Sequence, residues 1–230
     1  MQARELAGFP ATWTTVDVHV EDEMAGTALR ARCSLYTIAQ PERWIDSKAL
    51  LRESEIADPP YWAIVWTGAR AIAAVLLHGP SLHRRRVLDL GCGLGLSGLA
   101  AARAGAEVVF ADYLDEPLKF VGATVDAGSI EGARVVRLDF TRDRLDERFD
   151  VILAADVVYE PSQYAPLAEF LAAHLADDGR ILLTESLRAD ARIFLAGMKD
   201  LGFDDRVRPL WVHEEGRRER TWLHELQRRA

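Results

Sequence analysis

The stretch Val87–Gly95, VLDLGCGLG, decides the fold. Val87-Leu88-Asp89-Leu90 reads as a strand, glycine follows at 91, 93 and 95, and an Ala/Leu-rich helical segment, Leu96–Ala104, begins at once. Glycine lets a chain turn sharply at a strand's carboxyl end and lets the backbone approach a ligand closely. In an open parallel sheet, that end is where ligands bind.

Downstream the same rhythm continues. Strands are expected at Glu107–Ala111, Arg134–Leu138, Phe149–Ala155 and Arg180–Glu185, and helices at Asp115–Ala127, Tyr164–Leu175 and Ala189–Leu201. Alternation of this kind predicts a parallel sheet with helices on both faces. Phe203–Val212 and Glu219–Gln227 read as a closing antiparallel hairpin turning at Glu214-Glu215-Gly216. Upstream, a helix is expected over 68–78, ending before Gly79-Pro80. Asp58-Pro59-Pro60 halts a helical pattern over 42–56. Two strand-like runs, Thr15–Val20 and Leu29–Ile38, flank EDEMAG as a plausible hairpin. The expected organisation is an N-terminal appendage over 1–57 and a main domain over 58–230.

The 230 residues are 49% apolar and 28% charged, enough apolar mass for a sizeable core. A net charge of −8 argues against a nucleic-acid partner, which needs clustered positive charge. The short basic runs Arg84-Arg85-Arg86 and Arg217-Arg218 with Arg220 read as solvated ends. No apolar run reaches the roughly 20 residues that span a bilayer, and MQARELAGFPATW has no leader pattern. Cys33 and Cys92 lack metal or redox spacing, so a cytoplasmic protein is expected. The six histidines are scattered without metal spacing, so no metal is expected. Trp13, Trp44 and Trp62 read as core or interface anchors. Ser97 and Ser162 lack the setting of a hydrolase nucleophile.

Gly93, Gly95 and Gly98 spell G-x-G-x-x-G, with Asp112 ending the next strand within about 20 residues, as in the dinucleotide fingerprint. A nicotinamide or flavin enzyme is therefore a competing reading. Three features weigh against it. The strand meets its loop at Gly91, out of register with the fingerprint. Asp89 lies within the strand, badly placed for a pyrophosphate and well placed near a cationic group. Asp139 and Asp156 end the next two strands, so four carboxylates line one crevice, which suits a cation and repels a diphosphate.

With these residues in view, the chain over roughly 58–227 resembles the class I S-adenosylmethionine-dependent methyltransferases. The segments PPYWAIVWTGARAIAAVLL, VLDLGCGLGLSGLAAA and LAADVVY are similar to the seven-strand protein lysine methyltransferases. The resemblance implies a doubly wound, mostly parallel, seven-stranded Rossmann-like α/β sheet carrying S-adenosylmethionine. Asp89, Gly91 and Gly93 match the family's first motif. Cys92 would contact the cofactor through its backbone rather than its thiol. Asp112, with Tyr113 beside it, would hold the ribose hydroxyls. Asp139 and Phe140 would meet the adenine, and Trp66 and Ala155 would touch the cofactor. Asp156-Val157-Val158-Tyr159 matches the D-x-x-Y motif after the fourth strand. Asp156 would orient an acceptor amine and Tyr159 would wall its pocket. The absence of proline between them sets the motif apart from the Asn-Pro-Pro-Tyr and Asp-Pro-Pro-Tyr of amide and adenine methylation. Thr67 stands where the family often has proline, and the helix after Asp112 lacks the asparagines of the flavoprotein-modifying branch. The acceptor expected is a protein lysine or, failing that, a small-molecule amine. A cofactor-binding protein without catalysis is the reading from another class.

Overall fold

The computed structural model describes residues 4–43, 60–185, 191–214 and 216–229. Ten strands form one sheet: β1 (Arg4–Leu6), β2 (Phe9–Asp22), β3 (Thr27–Ile38), β4 (Arg86–Leu90), β5 (Glu107–Asp112), β6 (Ala133–Arg137), β7 (Phe149–Ala155), β8 (Leu175–Glu185), β9 (Phe203–Glu214) and β10 (Arg217–Arg228). The helices are α1 (Thr67–His78), α2 (Leu96–Arg103), α3 (Asp115–Gly128), α4 (Tyr164–His174) and α5 (Arg192–Asp200). The order is β1-β2-β9-β10-β8-β7-β4-β5-β6, with β3 on the other side of β2.

The five strands β6, β5, β4, β7 and β8 are parallel, and β10 closes them antiparallel to β8. Strands buried on both faces need apolar runs rather than alternation. Val87, Leu88 and Leu90 in β4 and Ile152, Leu153 and Ala154 in β7 satisfy that. One apolar cluster lies under α1, α2 and α3, and includes Ile72, Leu99 and Phe120. The other lies under α4 and α5, and includes Phe170, Phe194 and Met198. The sheet is thus doubly wound.

Among the described residues the sheet has ten strands, where a seven-stranded sheet beside a separate N-terminal hairpin was expected, because the hairpin joins the sheet. The N-terminal hairpin is longer than its apolar runs indicated, because β2 begins at Phe9 and pairs with β1 through Leu6↔Phe9 and Glu5↔Pro10. Gly8 and Pro10 mask that start in the sequence. At its far end β2 joins β9 through Val20↔Val212, Glu21↔Trp211 and Asp22↔Leu210. Val16, Val18 and Val20 of β2 and Cys33, Leu35 and Ile38 of β3 share the core cluster of α1–α3. Tyr36 N–H donates to Thr124 Oγ1 of α3 at 2.9 Å and Arg70 Nη1 of α1 donates to Asp17 O at 2.8 Å, so the hairpin is laced onto the helix layer.

β8 starts five residues before the expected Arg180, because Leu175 pairs with Phe149 across a bulge. Asp177-Asp178-Gly179 reads as a break in the sequence. The helix expected over 42–56, with Trp44, falls almost wholly on residues 44–59, and the expected start of α5 at Ala189 falls in 186–190; both lie outside the described residues. Trp62 is a core anchor between Phe9 and Phe120. Trp13 is exposed, edge-on to Tyr36.

Candidate active site

β4 is the middle of the parallel strands: the chain leaves it toward β5 and β6 on one side and toward β7 and β8 on the other. A ligand crevice belongs at the carboxyl ends beside such a switch point. The four acids fall there in spatial order Asp156, Asp89, Asp112, Asp139, following neighbouring strands β7, β4, β5 and β6.

The glycine loop is fixed by the chain around it. Gly91, Gly93 and Gly95 all have positive φ, at 63°, 51° and 81°, a region L side chains avoid. A Cβ on Gly91 would lie 2.8 Å from Val157 Cγ1, and one on Gly93 would lie 3.2 Å from Trp62 O. The loop therefore threads between the exit of β7 and the Tyr61–Ala63 turn. Gly98, the last glycine of the apparent dinucleotide fingerprint, has another duty. Its N–H donates to Asp89 Oδ2 at 2.8 Å, and a Cβ there would overlap the Phe110 ring. The glycine spacing arises from close contact of α2 with β4 and β5.

Asp89 is buried and turned toward α2 rather than standing open in the crevice. Burial pushes its carboxyl up to about 7; the Gly98 N–H opposes that, and the Asp112 charge adds to it. A carboxyl raised in the folded state contributes stability that is complete below its unfolded pKa and is lost as pH rises through the folded one. Asp89→Asn keeps an acceptor for Gly98 and removes the titration. Its stability relative to wild type is expected to improve by about 2 kcal/mol between pH 5 and pH 8, measured by urea unfolding at both pH values. An unchanged difference would mean that Asp89 is ionised throughout.

Asp112 ends β5 and is buried. Its Oδ2 accepts from Gly93 N–H at 3.1 Å and its Oδ1 from Leu114 N–H at 3.2 Å, which ties the end of β5 to the glycine loop. Tyr113 beside it is exposed. Cys92 lies in the same loop. Burial, then the charges of Asp112 and Asp89, raise its thiol well above the usual range, which suppresses thiolate chemistry. Alkylation of Cys92 by iodoacetamide at pH 8 is expected to run at least tenfold slower than that of glutathione, read by peptide mass spectrometry. A comparable rate would overturn this assignment.

Asp139 braces its own turn. Its Oδ1 accepts from Thr141 N–H and Oγ1 at 3.0 and 2.6 Å, and its Oδ2 pairs with Arg142. Burial works to raise this carboxyl, but the Thr141 bonds and then Arg142 outweigh it and hold it low. A bond from an adenine amine would compete with these partners, and Arg142 offsets the charge Asp139 was expected to bring. Phe140 leans on Phe170, with ring centroids 6.5 Å apart.

Asp156 carries the most constrained geometry. Its φ is 54°, left-handed for a non-glycine residue, which Asp and Asn tolerate best. Its N–H donates to Thr184 O at 3.1 Å, and its Oδ2 accepts from Gly68 N–H, in the first turn of α1, at 2.9 Å. The positive end of α1 thus faces a carboxylate from β7. Trp66 precedes Gly68 by two residues and Tyr159 follows Asp156 by three, and Tyr61 links the two rings. Tyr61 lies 6.1 Å from Trp66 and 5.8 Å from Tyr159, ring centre to ring centre, and Trp66 Nε1 donates to Tyr61 O at 2.8 Å. Ala155 lies partly buried at the same strand end. Sequence reasoning noted Tyr61 only as an aromatic; its place in the Pro-Pro-Tyr-Trp segment was the available signal. It missed Glu219 and Thr184. Glu219 Oε2 accepts from Thr67 Oγ1 at 2.9 Å, so Thr67 ties α1 to β10.

Parallel strands in the order β6-β5-β4-β7-β8, closed by β10 and β9, with a glycine loop after β4 and an acid at the end of β5, define a class I S-adenosylmethionine-dependent methyltransferase. Solved structures agree in fold. A TehB-like S-adenosylmethionine-dependent methyltransferase from Corynebacterium glutamicum aligns with TM-score 0.56 at 20% identity, over 82% of this chain and 95% of that one. Magnesium protoporphyrin IX methyltransferase from Synechocystis, solved with bound S-adenosylmethionine, aligns with TM-score 0.56 at 20% identity, over 69% and 77%. Residues 50–200 match the lysine methyltransferase family, and the chain belongs to it. The electron transfer flavoprotein beta subunit lysine methyltransferase of Danio rerio is 34% identical over 117 residues, 49% of this chain and 44% of that protein. Histone-arginine methyltransferase METTL23 of Xenopus laevis is 31% identical over 137 residues, 56% of this chain and 58% of that protein. The chain spans about half the length of the curated relatives it matches.

Proposed function

We propose that this protein methylates the side-chain amine of lysine in a protein substrate, with S-adenosylmethionine as donor. The observation that carries the reading is Asp156, fixed by Gly68 N–H at the end of β7, with the linked rings Trp66, Tyr61 and Tyr159 on the chain segments that lead to Gly68 and away from Asp156. The cofactor supplies an electrophilic methyl group on a sulfonium, open to in-line displacement.

The glycine loop would offer backbone to the cofactor, Asp112 would accept from the ribose hydroxyls, and Phe140 would cover the adenine beside the Asp139 turn. Asp156 accepts N–H bonds from the incoming amine and so aims its lone pair. An amine attacks only when neutral, and an unperturbed lysine is protonated at neutral pH. A nearby carboxylate raises an ammonium pKa, and the amino end of α1 favours the negative charge on Asp156. Asp156 therefore orients, and the proton leaves to solvent. Tyr159 and Tyr61 offer the acceptor aromatic faces and polar edges, and the exposed Tyr159 leaves a way out to the solvent that takes the proton. Residues 58–230 carry this chemistry, and residues 1–57 shape the acceptor side.

The test is transfer of label from methyl-tritiated S-adenosylmethionine in a host-cell extract, with products split into protein and small-molecule fractions. Label on protein lysine that disappears with Asp156→Asn supports the reading. Label on arginine or histidine, the acceptors named for relatives, would redirect it within protein methylation. Label only in small molecules would replace it with metabolite N-methylation. Cofactor binding without any labelled product would favour a non-catalytic binder.

A further inference from the structure

Away from the cofactor crevice, the seam where β2 meets β9 brings together His19, Glu21 and His213. Their ligand atoms all lie within 4.8 Å of one another. We propose that this cluster is a binding site for a divalent transition-metal ion of the zinc type, and that the ion clamps the N-terminal hairpin to the β9–β10 hairpin.

The register builds the site. Val20 pairs with Val212, which sets His19 opposite His213 one step along the antiparallel ladder. Glu21 is two residues from His19 and so projects from the same face. That face is the outer one, since Val16, Val18 and Val20 point into the core. The imidazoles are nearly parallel, 17° between planes and 4.3 Å between centroids. His213 Nε2 lies 3.0 Å from Glu21 Oε1, yet that buried nitrogen makes no hydrogen bond among the described residues. The two atoms are an ion pair without hydrogen-bond geometry, and a metal ion between them would take a lone pair from each.

Two imidazoles and one carboxylate are the donor set of open zinc sites, with distances of about 2.0–2.2 Å and a fourth position for water. Three donors around one ion stand roughly 3–3.5 Å apart at those distances, so the cluster must contract by about 1 Å, within reach of half-buried side chains. The charged neighbours are mixed. Arg30 pairs with His19 across β3 and Arg218 with His213 across β10. Arg218 also holds Glu21 Oε2 and Glu23 Oε1, each at 2.9 Å. These cations weaken a metal site, and Arg218 competes for the carboxylate without occupying Oε1.

Backbone pairing across this seam spans only three residues. Beyond it the seam is held by side chains, including the buried Asp22 with Arg208 at 2.8 Å. An ion here would add a bond between elements from opposite ends of the chain. That separation is also why histidine spacing in the sequence carried no metal signal.

The test uses the full chain, stripped with chelator and titrated with Co2+ and Zn2+. One equivalent of Co2+ is expected to give visible ligand-field absorption, and Zn2+ to displace it. Zinc at a hundredfold over Kd is expected to raise Tm by roughly 5–10 °C. Affinity should fall at least tenfold in His19→Ala, in His213→Ala and in Glu21→Gln, and stay unchanged in His83→Ala. Arg218→Gln should bind at least as tightly as wild type, because it frees the carboxylate, whereas a variant that merely disturbs folding would bind less. S-adenosylmethionine binding reports that each variant is folded. No stoichiometric uptake below millimolar metal, or equal uptake by the triple variant, would overturn the proposal.

Discussion

Asp156→Asn is expected to fold, bind S-adenosylmethionine with near wild-type affinity, and lose methyl transfer by about a hundredfold or more, the scale of a positioned catalytic group. Asparagine is the substitution that isolates the charge. It accepts the left-handed backbone at φ 54° as readily as aspartate does. Its carbonyl oxygen still accepts from Gly68 N–H, so the first turn of α1 keeps its partner. On the proposed function, what changes is the interaction with the acceptor amine, through a weaker acceptor and a lost negative charge. The loss should therefore fall on kcat, with Tm within a few degrees of wild type. Asp156→Ala removes more: a buried N–H loses its acceptor at a cost of about 1–3 kcal/mol, and a left-handed alanine adds roughly 1 kcal/mol. Single-turnover kinetics on both variants, beside their melting curves, separate the roles. Transfer within threefold of wild type in Asp156→Asn would leave Asp156 as a brace for α1 and nothing more.

The parts legible in the sequence are those where local chemistry and tertiary role coincide. The strand Arg86–Leu90 and its loop were legible because burial on both faces demands an apolar run and the turn demands glycine. That four acids gather at one end of the sheet followed from reading Asp112, Asp139 and Asp156 as strand ends and Asp89 as lying within its strand; their order across the sheet did not. Direction of side chains was not legible. Asp89 faces Gly98 and Asp139 faces Thr141 and Arg142, and both choices depend on what each strand packs against. The extent of the sheet was hidden for a related reason. The three pairs between β2 and β9 leave no local mark, since the two strands are written at opposite ends of the chain. Gly68 is the sharpest case. A glycine in the first turn of a helix reads as a mild propensity defect, and only the approach of Thr184 and Asp156 explains it.

Gly68→Ala is expected to cost roughly 2–3 kcal/mol, to lower Tm by about 5–10 °C, and to abolish detectable transfer. Helix propensity alone argues the opposite, since alanine gains about 1 kcal/mol over glycine in a helix. The space decides. A Cβ on Gly68 would overlap Thr184 Oγ1 and lie 2.6 Å from Asp156 Oδ2 and 2.9 Å from its Cγ. Thr184 is wholly buried in β8. The Asp156 backbone is fixed, but its carboxylate is the end of a side chain, so part of the strain falls on that carboxylate. Gly122 in α3 and Gly197 in α5 have nothing within 4 Å of such a Cβ. The same substitution there should be neutral or stabilising by about 0.5–1 kcal/mol. Adding Thr184→Ala to Gly68→Ala removes one of the two overlaps. The pair should recover at least about 1 kcal/mol relative to additivity, the coupling expected of side chains in contact. Activity should stay lost, because the overlap with Asp156 remains. Recovery of both stability and activity in the double variant would place the conflict at Thr184 alone, and would free Asp156 from any dependence on the first turn of α1.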